Sequence, residues 1–400
     1  MPHTEIKCFP ANNGDCLLIS FSVSPRKHIL VDFGYVTTYN LHLKSVLEQL
    51  QLKGEKLDKV IISHIDSDHI LGANAFLKDG VLATAISKEF WLNSLRHLPA
   101  VKNDKGKENI ESSASKIMRD RVRARGHKPN EKNNEAKAIS AEQGTTVGAK
   151  LVKLGLAWNT DFNGQAVSIE NKRLIHIDDN SRIYLLSPDQ AKLSALYTFW
   201  QDELTKFKVD MPKYHSGYDD AFEMLATWEK DQVIKPAKTI SDGESLEELA
   251  AKIPIEDKTI INGSSIAFVL ETGNHKLLML ADAHPNLILK SLEAYQVGPL
   301  FFDLIKVSHH GSFGNISIPF LEKVDSKIYL FSTNGKGHDH PDKETIAHIV
   351  NRPAEFERQL IFNYKTKNAE YFNREDWKTK YNYSIQYLDD VPFNITIQNS

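Results

Sequence analysis

Six residues place the tightest limit on this chain: His64-Ile65-Asp66-Ser67-Asp68-His69, directly after the apolar run 59–63. Four groups able to ligate a cation fall within six positions. A loop leaving a strand end has no fixed side-chain period, so neighbouring side chains can turn inward together, whereas a strand sends them to alternate faces. His64, Asp66, Asp68 and His69 can therefore converge on one or two cations. Imidazole nitrogen with carboxylate oxygen suits Zn²⁺, Mn²⁺ or Fe²⁺.

The same arrangement recurs along the chain. Apolar runs at 16–21, 29–32 and 183–186 read as buried strands, and 266–270 with 276–280 reads as a hairpin around Gly273-Asn274. The strand 276–280 leads to Asp282. The run 304–307 leads to Ser308-His309-His310-Gly311-Ser312, and 327–331 precedes a polar loop carrying His340-Pro341. Further strands are predicted at 360–364, 383–387 and 393–397. Between them, apolar residues at 43, 46, 47 and 50 predict an amphipathic helix over 41–52, and 346–350 reads the same way. Alternating strands and helices predict a layered α/β architecture. An aspartate after a strand is equally a helix cap, so Asp282 gains meaning only from its order behind the first cluster. In the His309-His310 pair, one ring can ligate while the other contacts substrate or supports a ligand.

Two stretches interrupt this rhythm, at about 95–150 and about 190–258, and both read as insertions on one 1–400 domain. The first is polar and basic. From 102 to 135 it holds ten Lys/Arg against six Asp/Glu, including Arg121, Arg123 and Arg125. Such a run can hold a phosphate backbone, or be a solvated face or a docking surface for a protein. The second is mainly helical, with a run over 191–207. The net charge of −3 imposes no general attraction to nucleic acid or membrane. Two cysteines, Cys8 and Cys16, are too few for a disulfide framework or a cysteine zinc cage. With no secretory leader pattern and no apolar run of membrane-spanning length, a cytoplasmic setting is expected.

The order of motifs resembles that of the metallo-β-lactamase superfamily, whose signature loop is His-x-His-x-Asp-His, here with Asp66 in place of the second histidine. Together with Lys306-Val307-Ser308-His309-His310-Gly311-Ser312, the variant is similar to the hydrolase domain of bacterial DNA-uptake channel proteins (ComEC-type). Asn13-Gly14-Asp15, Leu30-Val31-Asp32-Phe33-Gly34, Asn262-Gly263-Ser264-Ser265 and His340-Pro341 match in order. The resemblance covers roughly 5–90, 174–190 and 260–350. It implies a four-layer αββα sandwich with the site along one edge. It implies His64, Asp66, Asp68, His69, Asp282 and His309 as metal ligands, Asp282 able to bridge two ions. Asp15 and Asp32 are expected to orient ligand histidines, or equally to form turns with Gly14 and Gly34. Asn262, Ser264 and Ser312 are expected to contact substrate.

The chain departs from the family at 261–265, which holds no histidine where members usually carry a ligand. One metal position is therefore expected to lose a nitrogen donor. Zn²⁺ is the first expectation for the one or two divalent ions and Mn²⁺ the next. Such an ion makes hydroxide available from water near neutral pH, with Asp68 as ligand and proton acceptor. His310 or His340 would then stabilise developing charge or protonate the leaving group. The expected reaction is hydrolysis of a phosphodiester in nucleic acid or a nucleotide. The alternatives are a small-molecule ester, lactone or amide hydrolase, or a non-catalytic metal-binding module.

Overall fold

The computed structural model describes residues 4–21, 26–98, 146–206, 219, 222–223, 243–388 and 391–397. Most of the first insertion, with Arg121, Arg123 and Arg125, lies outside the described residues, as does most of 207–242.

Two sheets form the centre. The first takes β1 (Thr4–Cys8), β2 (Leu17–Phe21), β3 (Lys27–Val31), β4 (Leu57–Ile61) and β5 (Phe90–Trp91). The second takes β6 (Leu174–Asp178), β7 (Ser181–Ser187), β8 (Ala267–Thr272), β9 (His275–Met279), β10 (Leu300–Lys306), β11 (Val324–Phe331), β12 (Arg358–Phe362) and β13 (Tyr383–Tyr387). β14 (Phe393–Ile397) then returns to the first sheet and pairs antiparallel with β1, Thr4 opposite Ile397. The orders are β14-β1-β2-β3-β4-β5 and β13-β12-β11-β10-β9-β8-β7-β6.

Three hydrophobic clusters show the layering. One gathers inward residues of both sheets, such as Ile19, Ile29 and Ile61 with Phe268, Leu277 and Leu304. The other two lie outside it, each joining a sheet to helices: Leu30 and Val60 with Leu47 and Phe76, and Val269 and Ile305 with Ile288 and Ile346. The order is helices, sheet, sheet, helices, the αββα sandwich that the resemblance implies. Strands β2 and β8, buried on both faces, are accordingly continuous apolar runs rather than alternating ones.

The amphipathic pattern at 41–52 folds as a π-helical turn, Tyr39–Leu43, running into the helix Lys44–Leu52, and buries Leu43, Leu47 and Leu50. Thr272 faces His275 across the predicted hairpin turn, where Gly273 supplies the left-handed φ of 57°. The run 191–207 is helical over Gln190–Lys206. Among the described residues, no helix is long and apolar enough to cross a membrane.

Strands β3 and β4 are parallel, as are β9, β10 and β11. Their carboxyl ends face the same edge of the sandwich. The loops carrying Asp32, His64 to His69, Asp282, His309-His310 and His340 leave from these ends, where open α/β sheets place their ligands.

Candidate metal centre

Asp66 is the N-cap residue of the helix Ser67–Lys78, and its extended backbone (φ −75°, ψ 148°) carries the chain from the loop into the helix. Asp68 and His69 fall in the first turn, where a carboxylate is favoured by the positive end of the helix dipole. The loop Asn13-Gly14-Asp15 is pressed against this turn. A Cβ on Gly14 would lie 1.9 Å from the Asp68 carbonyl oxygen, so only glycine permits the approach.

Asp282 is fully buried and lies between two sets of side chains. On its Oδ2 side, His64 Nε2 lies at 3.8 Å and His309 Nε2 at 3.6 Å. Asp66 Oδ2 joins this set, 3.2 Å from His64 Nε2. On its Oδ1 side, His69 Nε2 lies at 3.6 Å and His310 Nε2 at 3.9 Å. Asp68 joins that set, with Oδ2 at 3.3 Å from His310 Nε2 and Oδ1 at 3.9 Å from His69 Nε2. All seven residues are buried.

The split places both neighbouring histidines among the donors. His310, expected in acid or charge-stabilising chemistry, turns its Nε2 toward Asp68 and His69. His309, expected as a ligand, turns its Nε2 to the side of His64 and Asp66. Both follow from the backbone. His309 and His310 adopt left-handed φ angles of 44° and 56°, so adjacent rings turn to opposite oxygens of one carboxylate.

The far nitrogen of each ring is held, that of His64 by the Ser63 hydroxyl at 3.0 Å. His69 Nδ1 lies 2.8 Å from Asp32 Oδ2, and Asp32 is fixed by Ser63, whose N–H and Oγ–H donate to it at 2.7 and 2.8 Å. His310 Nδ1 donates to the Ser332 carbonyl at 2.8 Å. His309 Nδ1 donates to Asn315 Oδ1 at 2.8 Å, while the Asn315 amide nitrogen donates to the Asp282 carbonyl at 3.1 Å. Each contact favours a proton on Nδ1 and leaves Nε2 as the nitrogen turned toward Asp282. Asp15 accepts from Lys306 Nζ at 2.7 Å and stands 3.5 Å from His310 Nδ1. Both aspartates thus lie against histidines of the donor sets. Asp32 does so at a left-handed φ of 57°.

The electrostatics call for cationic charge. Burial resists protonation of His69, but the carboxylates of Asp32, Asp282 and Asp68 prevail and raise its pKa to about 10. His310 is raised against burial to about 9 by Asp282 and Asp15. Burial opposes ionisation of Asp282, yet the surrounding histidines hold its pKa well below the usual range. Among the described residues, His69 Nε2 and His310 Nε2 have no hydrogen-bond partner. Within two groups, His64-His69-Asp282 and Asp68-His69-His310, donor atoms lie within 4.8 Å of one another. Buried imidazole nitrogens turned toward carboxylates fit one or two divalent ions.

His340 stands apart from these groups, its ring centroid 5.4 Å from that of His309. Burial lowers its pKa to about 4, although Asp342 opposes this. Asn262 and Ser264, expected to contact substrate, are both buried and donate hydrogen bonds within the chain, while Asn262 Oδ1 has no partner among the described residues. The Asn262 amide nitrogen donates to Asp257 at 2.8 Å, behind His309, and the Ser264 hydroxyl donates to the Ile261 carbonyl at 2.6 Å. Ser312 is buried, and its backbone N–H donates to the His309 carbonyl at 2.8 Å. Sequence reasoning gave no role to Lys306, Asp257 or Asn315. A lysine ending the apolar strand just before Ser308-His309-His310 was the one visible signal.

A model of the metallo-beta-lactamase superfamily matches residues 10–136. No curated protein matches the chain. Among solved structures, the metallo-beta-lactamase fold protein YhfI from Bacillus subtilis is similar with a TM-score of 0.35 and 11% identity, over 99% of each chain. A long form RNase Z from yeast is similar with a TM-score of 0.32 and 11% identity, over 83% of this chain and 36% of that one. Likeness at this level carries no argument about activity. The superfamily match takes in His64 to His69, and the two-sheet α/β sandwich with its donors at strand ends is consistent with it.

Proposed function

We propose that this chain is a divalent-metal-dependent phosphodiesterase acting on nucleic acid or nucleotides. The observation that carries the reading is the division of one buried carboxylate, Asp282, between two opposed donor sets. Two-ion centres of this kind suit in-line displacement at phosphorus, because both attacking and leaving oxygens need stabilisation. His64, Asp66 and His309 would hold an ion on the Oδ2 side, and Asp68, His69 and His310 one on the Oδ1 side. Zn²⁺ is the first candidate and Mn²⁺ the next, given two extra carboxylates among the donors. When bound, such ions lower the pKa of water and polarise phosphoryl oxygen.

The chain's own residues supply the rest. Asp32, Ser332 and Asn315 keep the ring tautomers that present Nε2 inward. Burial excludes bulk water and strengthens every charge interaction at the site. His340, neutral at pH 7 with its pKa near 4, acts as a hydrogen-bond donor toward the leaving-group oxygen rather than as a charged acid. The motif likeness to DNA-uptake hydrolase domains supports nucleic acid as substrate class. Arg121, Arg123 and Arg125 would add phosphate contacts from the first insertion, taken as part of one domain. Two buried, free cysteines suit a reducing compartment, and the cytoplasm is the proposed setting.

The test is turnover of bis(p-nitrophenyl) phosphate by metal-stripped protein resupplied with Zn²⁺ or Mn²⁺. Activity in the native chain and its loss in Asp68→Ala and Asp282→Ala are expected. Lactone or ester hydrolysis with no phosphodiester turnover would instead make this a small-molecule hydrolase. Metal binding with no turnover of any of these substrates would make it a binding module.

A further inference from the structure

A cleft of about 250 Å³ has His340 in its wall, and the His340 ring centroid lies 5.4 Å from that of His309. Four lysines line the same cleft: Lys252, which is paired with carboxylates, and Lys343, Lys365 and Lys367.

His340 is 6% exposed, and neither of its ring nitrogens has a hydrogen-bond partner among the described residues. A buried polar group left in that state costs about 1–3 kcal/mol, so a polar ligand in the cleft would recover a hydrogen bond. Lys343 opens the helix Lys343–Val350, and its Nζ sits 3.6 Å from the Tyr371 ring centroid, which fixes the ammonium in place. Lys365 and Lys367 are exposed and flank Thr366, the cap of the helix Lys367–Tyr371. Lys367 has no carboxylate partner among the described residues. Lys365 pairs with the exposed Glu370, at 3.1 Å, and its Nζ lies 5.8 Å from the Tyr387 ring centroid; such a surface pair is worth under about 1 kcal/mol and is easily exchanged.

Of the four carboxylates lining the cleft, Glu244, Glu344 and Asp342 are engaged, and Asp339 is exposed to solvent. Glu244 and Glu344 both pair with Lys252, at 2.9 and 3.1 Å. Asp342 Oδ2 accepts the Phe313 N–H at 2.8 Å, and its Oδ1 lies 3.6 Å from His340. The lysine side therefore offers positive charge to a ligand entering past His340.

We infer that this cleft binds a second phosphate, that of the nucleotide beside the scissile bond, so that the substrate is a nucleic-acid strand rather than a compound with one phosphodiester. This rests on the phosphodiesterase reading above. Lysine is a compact point charge that binds phosphate without demanding a fixed orientation, which suits a backbone contact indifferent to base.

The test compares the native chain with Lys365→Ala/Lys367→Ala in two arms. The first is fluorescence anisotropy of a labelled single-stranded oligonucleotide across a salt series. The second is kcat/KM for an oligonucleotide divided by that for bis(p-nitrophenyl) phosphate. The double variant is expected to weaken oligonucleotide binding about tenfold and to reduce the salt slope by about 0.7, the value for one phosphate contact on a single strand. The kcat/KM ratio is expected to fall by a similar factor. Unchanged binding and slope, or an equal fall for both substrates, would overturn the inference. If the native chain cleaves neither substrate, the phosphodiesterase reading fails, while the binding arm still decides whether the lysines hold a strand.

Discussion

His309 and His310 are neighbours in sequence, yet their Nε2 atoms approach opposite oxygens of Asp282, at 3.6 and 3.9 Å. Each ring therefore serves a different donor set. Native protein supplied with Zn²⁺ is expected to hold two ions per chain by elemental analysis. His309→Ala and His310→Ala should each hold one, and the double variant none. Full metal content in either single variant would contradict the two-sided arrangement.

Asp32 acts on the centre through His69 Nδ1, 2.8 Å away. Asp32→Asn keeps the shape but can donate to Nδ1, favouring the tautomer with its proton on Nε2. Loss of such a supporting carboxylate typically costs 10–100-fold in metal affinity or activity. Competition with a chromogenic chelator should show weaker binding by about that factor. Asp32→Ala should also destabilise the fold, because the Ser63 N–H and Oγ lose their acceptor.

Lys306 is 1% exposed and paired with the equally buried Asp15 across the two sheets. Burial opposes ionisation of Asp15, but Lys306 holds its carboxyl well below the usual range. Removing one partner of a buried pair costs about 3–5 kcal/mol, because the other charge stays behind. Lys306→Met should lower stability in urea by that order. Asp15→Asn/Lys306→Met should be less destabilised than the sum of the single changes. Simple additivity would mean that the two groups do not depend on each other.

His97 gives a stability signal that varies with pH, away from the metal centre. Its ring packs edge-on to Trp158 at 4.6 Å, and its Nδ1 accepts from the Ser94 N–H at 3.2 Å. Burial and the neighbouring Arg96 push its pKa from 6.5 down to about 3. The folded value lies below the unfolded one, so the neutral ring favours the folded state fully above pH 6.5. That contribution is lost as pH falls toward 3, at about 1.4 kcal/mol per pH unit. The stability advantage of native protein over His97→Gln should shrink at that rate between pH 6 and 4. A constant difference would show that His97 titrates normally.

Much of this centre is legible in the sequence because buried strands end abruptly in chemistry. Apolar runs closing at Asp32, His64, Asp282 and His309 marked the strand ends, and those ends share one edge. What stayed hidden depends on backbone direction. The left-handed geometry of two successive histidines decides which ring meets which oxygen, and nothing in the residue types dictates it. Asn262 and Ser264 carry atoms suited to substrate contact, but their hydrogen bonds to Asp257 and the Ile261 carbonyl depend on tertiary packing that residue types do not reveal. β1 was missed because Thr4–Cys8 alternates buried and half-buried residues instead of forming an apolar run. β5, with two residues, is too short for any period.

The two donor halves come from distant parts of the chain: His64 to His69 from the first sheet's edge, Asp282 to His310 from the second's. During synthesis the earlier half emerges first and waits for roughly 200 residues. At about 5–20 residues per second that delay is on the order of ten to forty seconds. Throughout it, His64, Asp66, Asp68 and His69 stand without the carboxylate that divides the centre. Any ion they meet is held by half the donors and is free to leave. Choice of metal therefore belongs to the finished sandwich, and a ribosome-stalled chain ending before Asp282 should retain no stoichiometric Zn²⁺ after desalting.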